Sequence, residues 1–254
     1  MSTEFQLDDQ GRITAATSFL LVHHALRRDA ERLPRALAAL DPRDTAQAAL
    51  LDDRWRLFEW VLADHSENED ASLFPLALSR APELAEPLDG IEREHEELDA
   101  RLREIGRLMA DLTTPEAVAT ARAATERLAG LLGRHLDREE KHIVPVLVDR
   151  IRPEELAGGQ GKGGPGAGPG AGPGAGPGKG GPGGGPGRAG QGGPGAGEPP
   201  RWLVSTWTEE DVDPVVVDAL IAALPPAFAE QMAGALPGWR EQYRDLNARV
   251  WAQI

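Results

Sequence analysis

Two segments of this chain place a glutamate four residues after a histidine within an apolar helical pattern. They read HSENEDASLFPLAL (65–78) and HLDREEKHIVPVLV (135–148), and they align without a gap. Residues four apart share one face of an α-helix, so each pair sets an imidazole beside a carboxylate. A carboxylate on a buried face is costly unless it meets a positively charged partner. The fold of this chain therefore has to supply such a partner.

Hydrophobic periodicity places these pairs on two of four predicted helices. Apolar residues recur every three or four positions along each helix, and Asp44, Thr114 and Pro115 mark helix starts. The connections are short, which indicates antiparallel neighbours. We therefore predict an all-α fold, an up-down-up-down four-helix bundle over residues 14–152. The predicted helices span about 17–40, 44–78, 84–112 and 114–151.

Every one of these helices carries a histidine on its apolar stripe. The lone histidines His23 and His95 precede the histidines of the pairs by 42 and 40 residues, so the region resembles two helix pairs related by an approximate dyad. Neutral imidazoles and carboxylates together are typical ligands of a metal centre on the bundle axis. The candidate metal ligands are His23, His65, Glu69, His95, His135 and Glu139.

Four segments of the bundle resemble the hemerythrin family, in its HHE cation-binding branch. They are VHHALRRD (22–29), HSENEDASLFP (65–75), REHEEL (93–98) and HLDREEKHIVP (135–145). The resemblance implies a hemerythrin-like bundle with two non-haem iron ions (Fe2+/Fe3+), with or without an oxo bridge, ahead of manganese. It implies bridging by the two glutamates and terminal ligation by the four histidines. It also implies a small ligand, namely oxygen, nitric oxide or peroxide, that the protein binds, senses or handles.

One position departs from the oxygen-carrying members of that family. They place a second histidine four residues after the first in the third helix, whereas Asp99 follows His95 here. Five-histidine ligation is therefore not reproduced, which favours sensing or chemistry over oxygen carriage. A further ligand remains open among Asp99, Glu92, His142, His24 and water.

Three other functions compete with this interpretation. Peroxide disproportionation would use the same ligands, so the sequence leaves open whether the protein is an enzyme. A ferritin-like iron-handling site would use Glu92 with His95 and Glu139 with His142, but it leaves three histidines without a role. A metal-free helical interaction module would keep the histidines as pH-sensitive core groups.

Composition excludes several other classes. The chain has no cysteine, so disulfides, thiolate zinc sites and iron–sulfur clusters are absent. A net charge of −14 disfavours nucleic acid and anionic lipid as partners. The polar N-terminus and the lack of a long apolar run predict a cytoplasmic protein that does not bind a membrane.

The remainder of the chain divides into a linker and a C-terminal segment. Residues 158–198 are rich in Gly, Pro and Ala, and we expect a disordered linker there. Residues 199–254 are predicted to form a small helical extension, with one helix from Pro214 and the last from Pro237. Four tryptophans lie in this extension, so we expect it to pack on the bundle, on another copy or on a protein partner.

Overall fold

The computed structural model describes residues 5–157 and 198–254. The stretch predicted to be a disordered linker lies outside the described residues, except for Glu198. Among the described helices, none combines the length and the apolarity that a bilayer span requires. The helices are α1 (Thr17–Ala39), α2 (Thr45–Asn68), α3 (Phe74–Arg80), α4 (Ala85–Met109), α5 (Pro115–Arg150), α6 (Pro153–Ala157), α7 (Arg201–Glu209), α8 (Pro214–Ala222) and α9 (Pro226–Val250).

Four long helices form the bundle. Helix α1 packs on α2, α2 on α4, α4 on α5, and α5 on α1, which closes a ring around one core. The only β pairing in the described part of the chain is an isolated bridge between Leu7 and Ile13. The predicted all-α, up-down-up-down, hemerythrin-like bundle is therefore confirmed.

The expected helix starts are present. The Asp44 side chain accepts a hydrogen bond from the backbone N–H of Gln47 at 3.0 Å and caps α2. The Thr114 hydroxyl accepts one from the N–H of Ala117 at 3.1 Å, with Pro115 in the first turn of α5. Both caps satisfy backbone donors that a helix end leaves unpaired.

The second predicted helix is interrupted. Helix α2 ends at Asn68, a π-helical turn spans Glu69–Leu73, and α3 begins at Phe74. The N–H of Phe74 bonds to the carbonyl of Glu69, five residues earlier. Pro75 has no N–H to continue the α-helical ladder, and the wider turn accommodates that loss. The aligned Pro145 lies within the unbroken helix α5, so the approximate dyad is not exact here.

Two hydrophobic clusters lie along the bundle axis. One is built around Leu26, Trp55, Leu102 and Leu132, and the other around Phe19, Phe74, Ile91 and Ile143. Along each helix of the ring, the polar candidate ligands lie between the residues of the first cluster and those of the second. The packing therefore holds the candidate metal centre inside the bundle, with apolar layers above and below.

The C-terminal extension, residues 198–254, packs against the bundle. Helix α7 contacts α1 and helix α9 contacts α2. Trp207 is fully buried, and its indole N–H donates to the Asp29 carboxylate at 2.8 Å. Arg54 of α2 donates to the same carboxylate at 2.6 Å and to the Tyr243 hydroxyl of α9 at 2.8 Å. A buried polar network thus joins the extension to helices α1 and α2 of the bundle.

The last helix begins earlier than the sequence predicts. Helix α9 starts at Pro226 and continues through Pro237, which was expected to open it. Leu236, Tyr243 and Val250 are its buried residues, and their spacing of seven places them on one face. Packing of that face on the bundle keeps the helix continuous although Pro237 removes one backbone hydrogen bond.

Candidate metal centre

The six predicted ligand side chains converge at the middle of the bundle. Helix α1 supplies His23, α2 supplies His65, the π-helical turn supplies Glu69, α4 supplies His95, and α5 supplies His135 and Glu139. Five of them are buried to 3% exposure or less, and the side chain of His65 is 9% exposed. Ionisable groups this deeply buried require a compensating partner.

The first ligand group comprises His23, His65, Glu69 and Glu139. Nε2 of His23 lies 3.0 Å from Nε2 of His65. Nε2 of His65 lies 3.1 Å from Oε1 of Glu69, and Nε2 of His23 lies 3.4 Å from Oε2 of Glu139. One ligand atom from each of the four residues falls within 4.8 Å of the others. These four side chains can hold one metal ion.

The second ligand group comprises His95, His135 and Glu139. Nε2 of His135 lies 2.9 Å from Oε1 of Glu139, and Nε2 of His95 lies 3.3 Å from the same oxygen. The second oxygen of Glu69, Oε2, lies 3.5 Å from Nε2 of His95. Each glutamate therefore directs one oxygen at the first ligand group and the other oxygen at the second.

Four atoms in this cluster have no hydrogen-bond partner among the described residues. They are both carboxylate oxygens of Glu69, Oε2 of Glu139 and Nε2 of His135. Their nearest neighbours are close, but the angles are not those of hydrogen bonds. A buried acceptor without a partner is costly, so such atoms need an explanation. The chemistry of this donor set fits cations placed between the two ligand groups.

The ionisable groups of the cluster shift one another's pKa values. Burial, followed by repulsion from His23, holds the pKa of His65 well below its usual range. Burial, followed by repulsion from Glu139, raises the pKa of Glu69 well above its usual range. For His95, burial opposes the charged form, but hydrogen bonds to Asp70 and Glu139 and the nearby charge of Glu69 raise the pKa to about 12. Metal binding would displace the protons of such groups.

Three carboxylates outside the six residues contact three of the histidines at Nδ1, on the side of the ring that faces away from the cluster. Nδ1 of His95 lies 2.9 Å from Asp70, Nδ1 of His23 lies 2.9 Å from Glu140, and Nδ1 of His135 lies 3.1 Å from Glu94. With Nδ1 donating to a carboxylate, Nε2 is left as the lone-pair donor that faces the cluster. Sequence reasoning missed these roles, although Asp70 and Glu140 occupy matching positions in the two aligned segments.

The candidates for a further ligand do not join the cluster. Nε2 of His24 lies 3.1 Å from the backbone carbonyl of Glu210, away from the centre. Glu92 is exposed, and neither Asp99 nor His142 belongs to either ligand group among the described residues. The ferritin-like set, which needs Glu92 and His142, is therefore not assembled.

Comparison with known proteins identifies the bundle independently. The family described as hemerythrin HHE cation binding domain matches residues 14–147, which is more than half of the chain. Neither the curated proteins nor the solved structures contain a match.

Proposed function

Because the chain belongs to the hemerythrin HHE cation-binding family and is a metal-binding protein of that kind, we propose that it holds two non-haem iron ions. We further propose that the iron pair binds a small oxidant, namely oxygen, nitric oxide or peroxide. The six ligands in this proposal are His23, His65, Glu69, His95, His135 and Glu139.

The orientation of the two glutamates carries the proposal. Both oxygens of Glu69 and one oxygen of Glu139 are buried without hydrogen bonds, and each carboxylate lies between the two ligand groups. A carboxylate so placed can bridge two cations and neutralise part of their charge. A single cation would leave at least one of these buried oxygens without compensation.

The ligand count leaves room for an exogenous molecule. The first ligand group would offer an ion two imidazoles and two carboxylate oxygens. The second would offer His95, His135 and Glu139, with Oε2 of Glu69 3.5 Å from Nε2 of His95, and this mixed nitrogen and oxygen set suits iron. When bound, a reduced iron pair supplies the electrons and the open coordination position that a diatomic or a peroxide requires.

The chain itself controls what reaches this position. Leu62, Leu98 and Leu132 are buried to 1% exposure or less and limit the entry of water from one side of the centre. Asp70, Glu94 and Glu140 hold three of the histidines with Nε2 towards the centre. An apolar surrounding and fixed imidazoles together tune the redox potential of a bound metal.

Metal analysis of the full chain tests the proposal. Protein expressed in iron-replete medium and purified in air should contain about two irons per chain, consistent with two carboxylate-bridged ions. The variant His65→Ala should lose most of this iron, whereas His142→Ala on α5 should retain it, because His142 lies outside both ligand groups. An iron content near zero in the wild type, or equal contents in the two variants, would contradict the proposal.

Optical spectroscopy tests the ligand. The iron-loaded, reduced protein should change its absorption spectrum on addition of nitric oxide or oxygen, and the oxidised protein on addition of peroxide. If the spectrum of the iron-loaded protein responds to none of the three molecules, the metal site stands and the proposed ligand class is contradicted. Oxygen evolution from added peroxide, measured in parallel, separates an enzyme from a binding protein.

A further inference from the structure

A cavity of about 600 Å³ lies between the bundle and the C-terminal extension. Its wall on the bundle side includes His65 and Glu69, and its wall on the extension side includes Trp202 and Trp239. This volume is roughly twenty times the ~30 Å³ share of one water molecule in the liquid. It lies within the range of pockets that hold organic molecules of drug size. A diatomic or a peroxide alone does not need a cavity of this size.

The cavity lies on the side where the approximate dyad of the bundle fails. Glu94 precedes His95 and contacts Nδ1 of His135, but Val22 occupies the equivalent position before His23. In the described part of the chain, the carboxylate contact of His65 is made through Nε2 alone. Val22 lines the cavity together with His65. His135 therefore has the Glu94 carboxylate behind it, whereas the symmetry-related His65 has Val22 and the cavity in that place.

The lining of the cavity is aromatic and apolar. Trp60 of α2, Trp202 of α7 and Trp239 of α9 contribute from three different helices. Tryptophan faces bind apolar groups, and they attract organic cations through the ring quadrupole. The three rings thus favour a ligand with an apolar body.

The charged groups of the lining favour a positive ligand. Asp64 is half-buried, and its carboxylate accepts a hydrogen bond from the Asn68 amide at 3.1 Å. Within the described ranges, no arginine, lysine or histidine is paired with Asp64 or with Glu198, which also lines the cavity. Arg201 is the lining arginine in those ranges, and it already has an interaction of its own. A carboxylate in a partly apolar wall is stabilised by an ammonium group.

We propose that this cavity binds an apolar organic amine. The ammonium group pairs with Asp64 and Glu198, and the apolar body packs on the tryptophans of the lining. The bound molecule then lies against the edge of the centre formed by His65 and Glu69. Binding in the cavity requires no metal, whereas its position beside an iron ion rests on the proposed function.

Isothermal titration calorimetry of the full chain with three matched naphthalenes tests the proposal. The ligands are 2-naphthylmethylamine, 2-naphthalenemethanol and 2-naphthoate, which share one ring system and carry a positive, a zero and a negative charge. The amine should bind about fivefold more tightly than the alcohol, which corresponds to ~1 kcal/mol, and the carboxylate should bind most weakly. Equal affinities for the amine and the alcohol would overturn the ammonium site, and no binding of any of the three would overturn the cavity as a ligand site.

Two variants locate the ligand. Asp64→Asn should reduce the affinity for the amine towards that for the alcohol, because Glu198 alone then faces the ammonium group, and Asp53→Asn, an exposed position on the same helix, should leave it unchanged. Ser205→Trp introduces a large ring into the lining and should weaken binding at least tenfold, whereas the exposed Ser79→Trp should not. Thermal unfolding checks that each variant is folded. Unchanged amine binding in both Asp64→Asn and Ser205→Trp would overturn the assignment.

The same titrations distinguish failure of this inference from failure of the proposed function. Titration of chelator-treated protein measures the cavity without metal, while iron content is determined on a separate aliquot. A protein that binds the amine but contains no iron would support the amine site and contradict the metal centre. A protein that contains iron but does not bind the amine would support the metal centre and contradict the amine site.

Discussion

Asp70 and Glu140 extend the approximate dyad beyond the proposed ligands. Each follows a proposed bridging glutamate by one residue, and each contacts the lone histidine of another helix at 2.9 Å. Asp70 reaches His95 of α4, and Glu140 reaches His23 of α1. A carboxylate on Nδ1 fixes the tautomer and the ring orientation and makes Nε2 a stronger donor. Each of these two short segments thus provides a proposed bridging ligand and a carboxylate that contacts Nδ1 of a histidine on another helix.

Glu94 has the same role towards His135 and allows a direct test. The variant Glu94→Gln keeps the shape of the side chain but removes the charge that stabilises the imidazole. We expect the affinity for iron, measured by chelator competition, to fall by about 10–100-fold. Glu97→Gln on the same helix is the control, because its exposed carboxylate pairs with Arg101 at the surface. Identical iron affinities for the two variants would show that Glu94 does not act through His135.

At the scale of helices, the sequence predicted long amphipathic elements well and local irregularities poorly. The stripes of the four bundle helices and the caps Asp44 and Thr114 are local signals, and the structure reproduces them within a few residues. The π-helical turn at Glu69–Leu73 was not predicted. Pro75 and the aligned Pro145 give the same local signal, but the helix around Pro145 is continuous, whereas a π-helical turn precedes Pro75. Tertiary packing, which no local pattern encodes, decides between these outcomes.

The site was predictable to the extent that spacing encodes it. Recurrent His-x-x-x-Glu pairs and lone histidines on apolar stripes pointed to the six side chains that the structure brings together. The acids Asp70 and Glu140 stand at matching positions in the two aligned segments, which was a signal for a shared role. No spacing rule, however, indicates that they contact His95 and His23. The cavity could not be predicted, because it forms only when α7 and α9 pack against the bundle.

Pro237 in helix α9 offers a test of that packing argument. An interior proline lacks the N–H that would bond to the carbonyl four residues earlier, and such a proline costs up to about 3 kcal/mol. Because the side chain of Pro237 is exposed, Pro237→Ala should restore this bond and raise the free energy of unfolding by about 1–3 kcal/mol. Urea denaturation monitored by circular dichroism measures the change.

Pro226 is the matched control for that substitution. It lies at the first position of α9, where a backbone N–H has no partner within the helix. Pro226→Ala should therefore change the free energy of unfolding by less than about 0.5 kcal/mol. A Pro237→Ala variant no more stable than Pro226→Ala would mean that the helix is bent around Pro237 and has no hydrogen bond to regain.

At the scale of the whole molecule, a charge network joins the extension to the bundle. Glu210, at the end of α7, lies 3.2 Å from the Arg28 guanidinium and accepts a hydrogen bond from the Tyr243 hydroxyl at 2.6 Å. Asp29, fully buried, accepts from both Arg54 and Trp207. Because the extension forms one wall of the cavity, this network also preserves the shape of the proposed amine site.

The network should make docking of the extension sensitive to acid. Burial alone would raise the pKa of Glu210, but Arg28, the Tyr243 hydroxyl and Arg32 outweigh burial, so the pKa lies below its usual 4.5. A carboxyl group with a lowered pKa in the folded protein stabilises the fold above the unfolded pKa and loses that contribution as the pH falls. The wild type should therefore be more stable than Glu210→Gln at pH 7, and the difference should shrink as the pH falls below about 4.5.

Urea denaturation monitored by tryptophan fluorescence at several pH values measures this difference, because Trp207 becomes exposed when the extension detaches. Glu241→Gln, an exposed position on α9, serves as the control and should show no such dependence. A stability difference that stays constant from pH 7 to pH 3 would show that the charge of Glu210 does not hold the extension in place.

The burial of Glu69 sets metal binding against the stability of the metal-free fold. Its two oxygens lack hydrogen bonds, and burial together with Glu139 raises its pKa well above the usual range. In Glu69→Gln, a neutral amide can donate to Glu139, so the metal-free protein should gain about 1 kcal/mol in the free energy of unfolding. The same variant should lose the stabilisation by iron, which for the wild type amounts to about 2.7 kcal/mol when free metal is at a hundred times Kd.

Thermal unfolding with and without iron separates these two effects, and Glu67→Gln is the control, since Glu67 is exposed on α2. The control should keep the metal-dependent rise in Tm, whereas Glu69→Gln should start from a higher metal-free Tm and show no rise. A Glu69→Gln variant that iron still stabilises would remove Glu69 from the ligand set. One that is destabilised without metal would show that the carboxylate supports the fold rather than a cation. Higher metal-free stability joined to lost metal response is the result expected of a ligand that the fold keeps buried for binding.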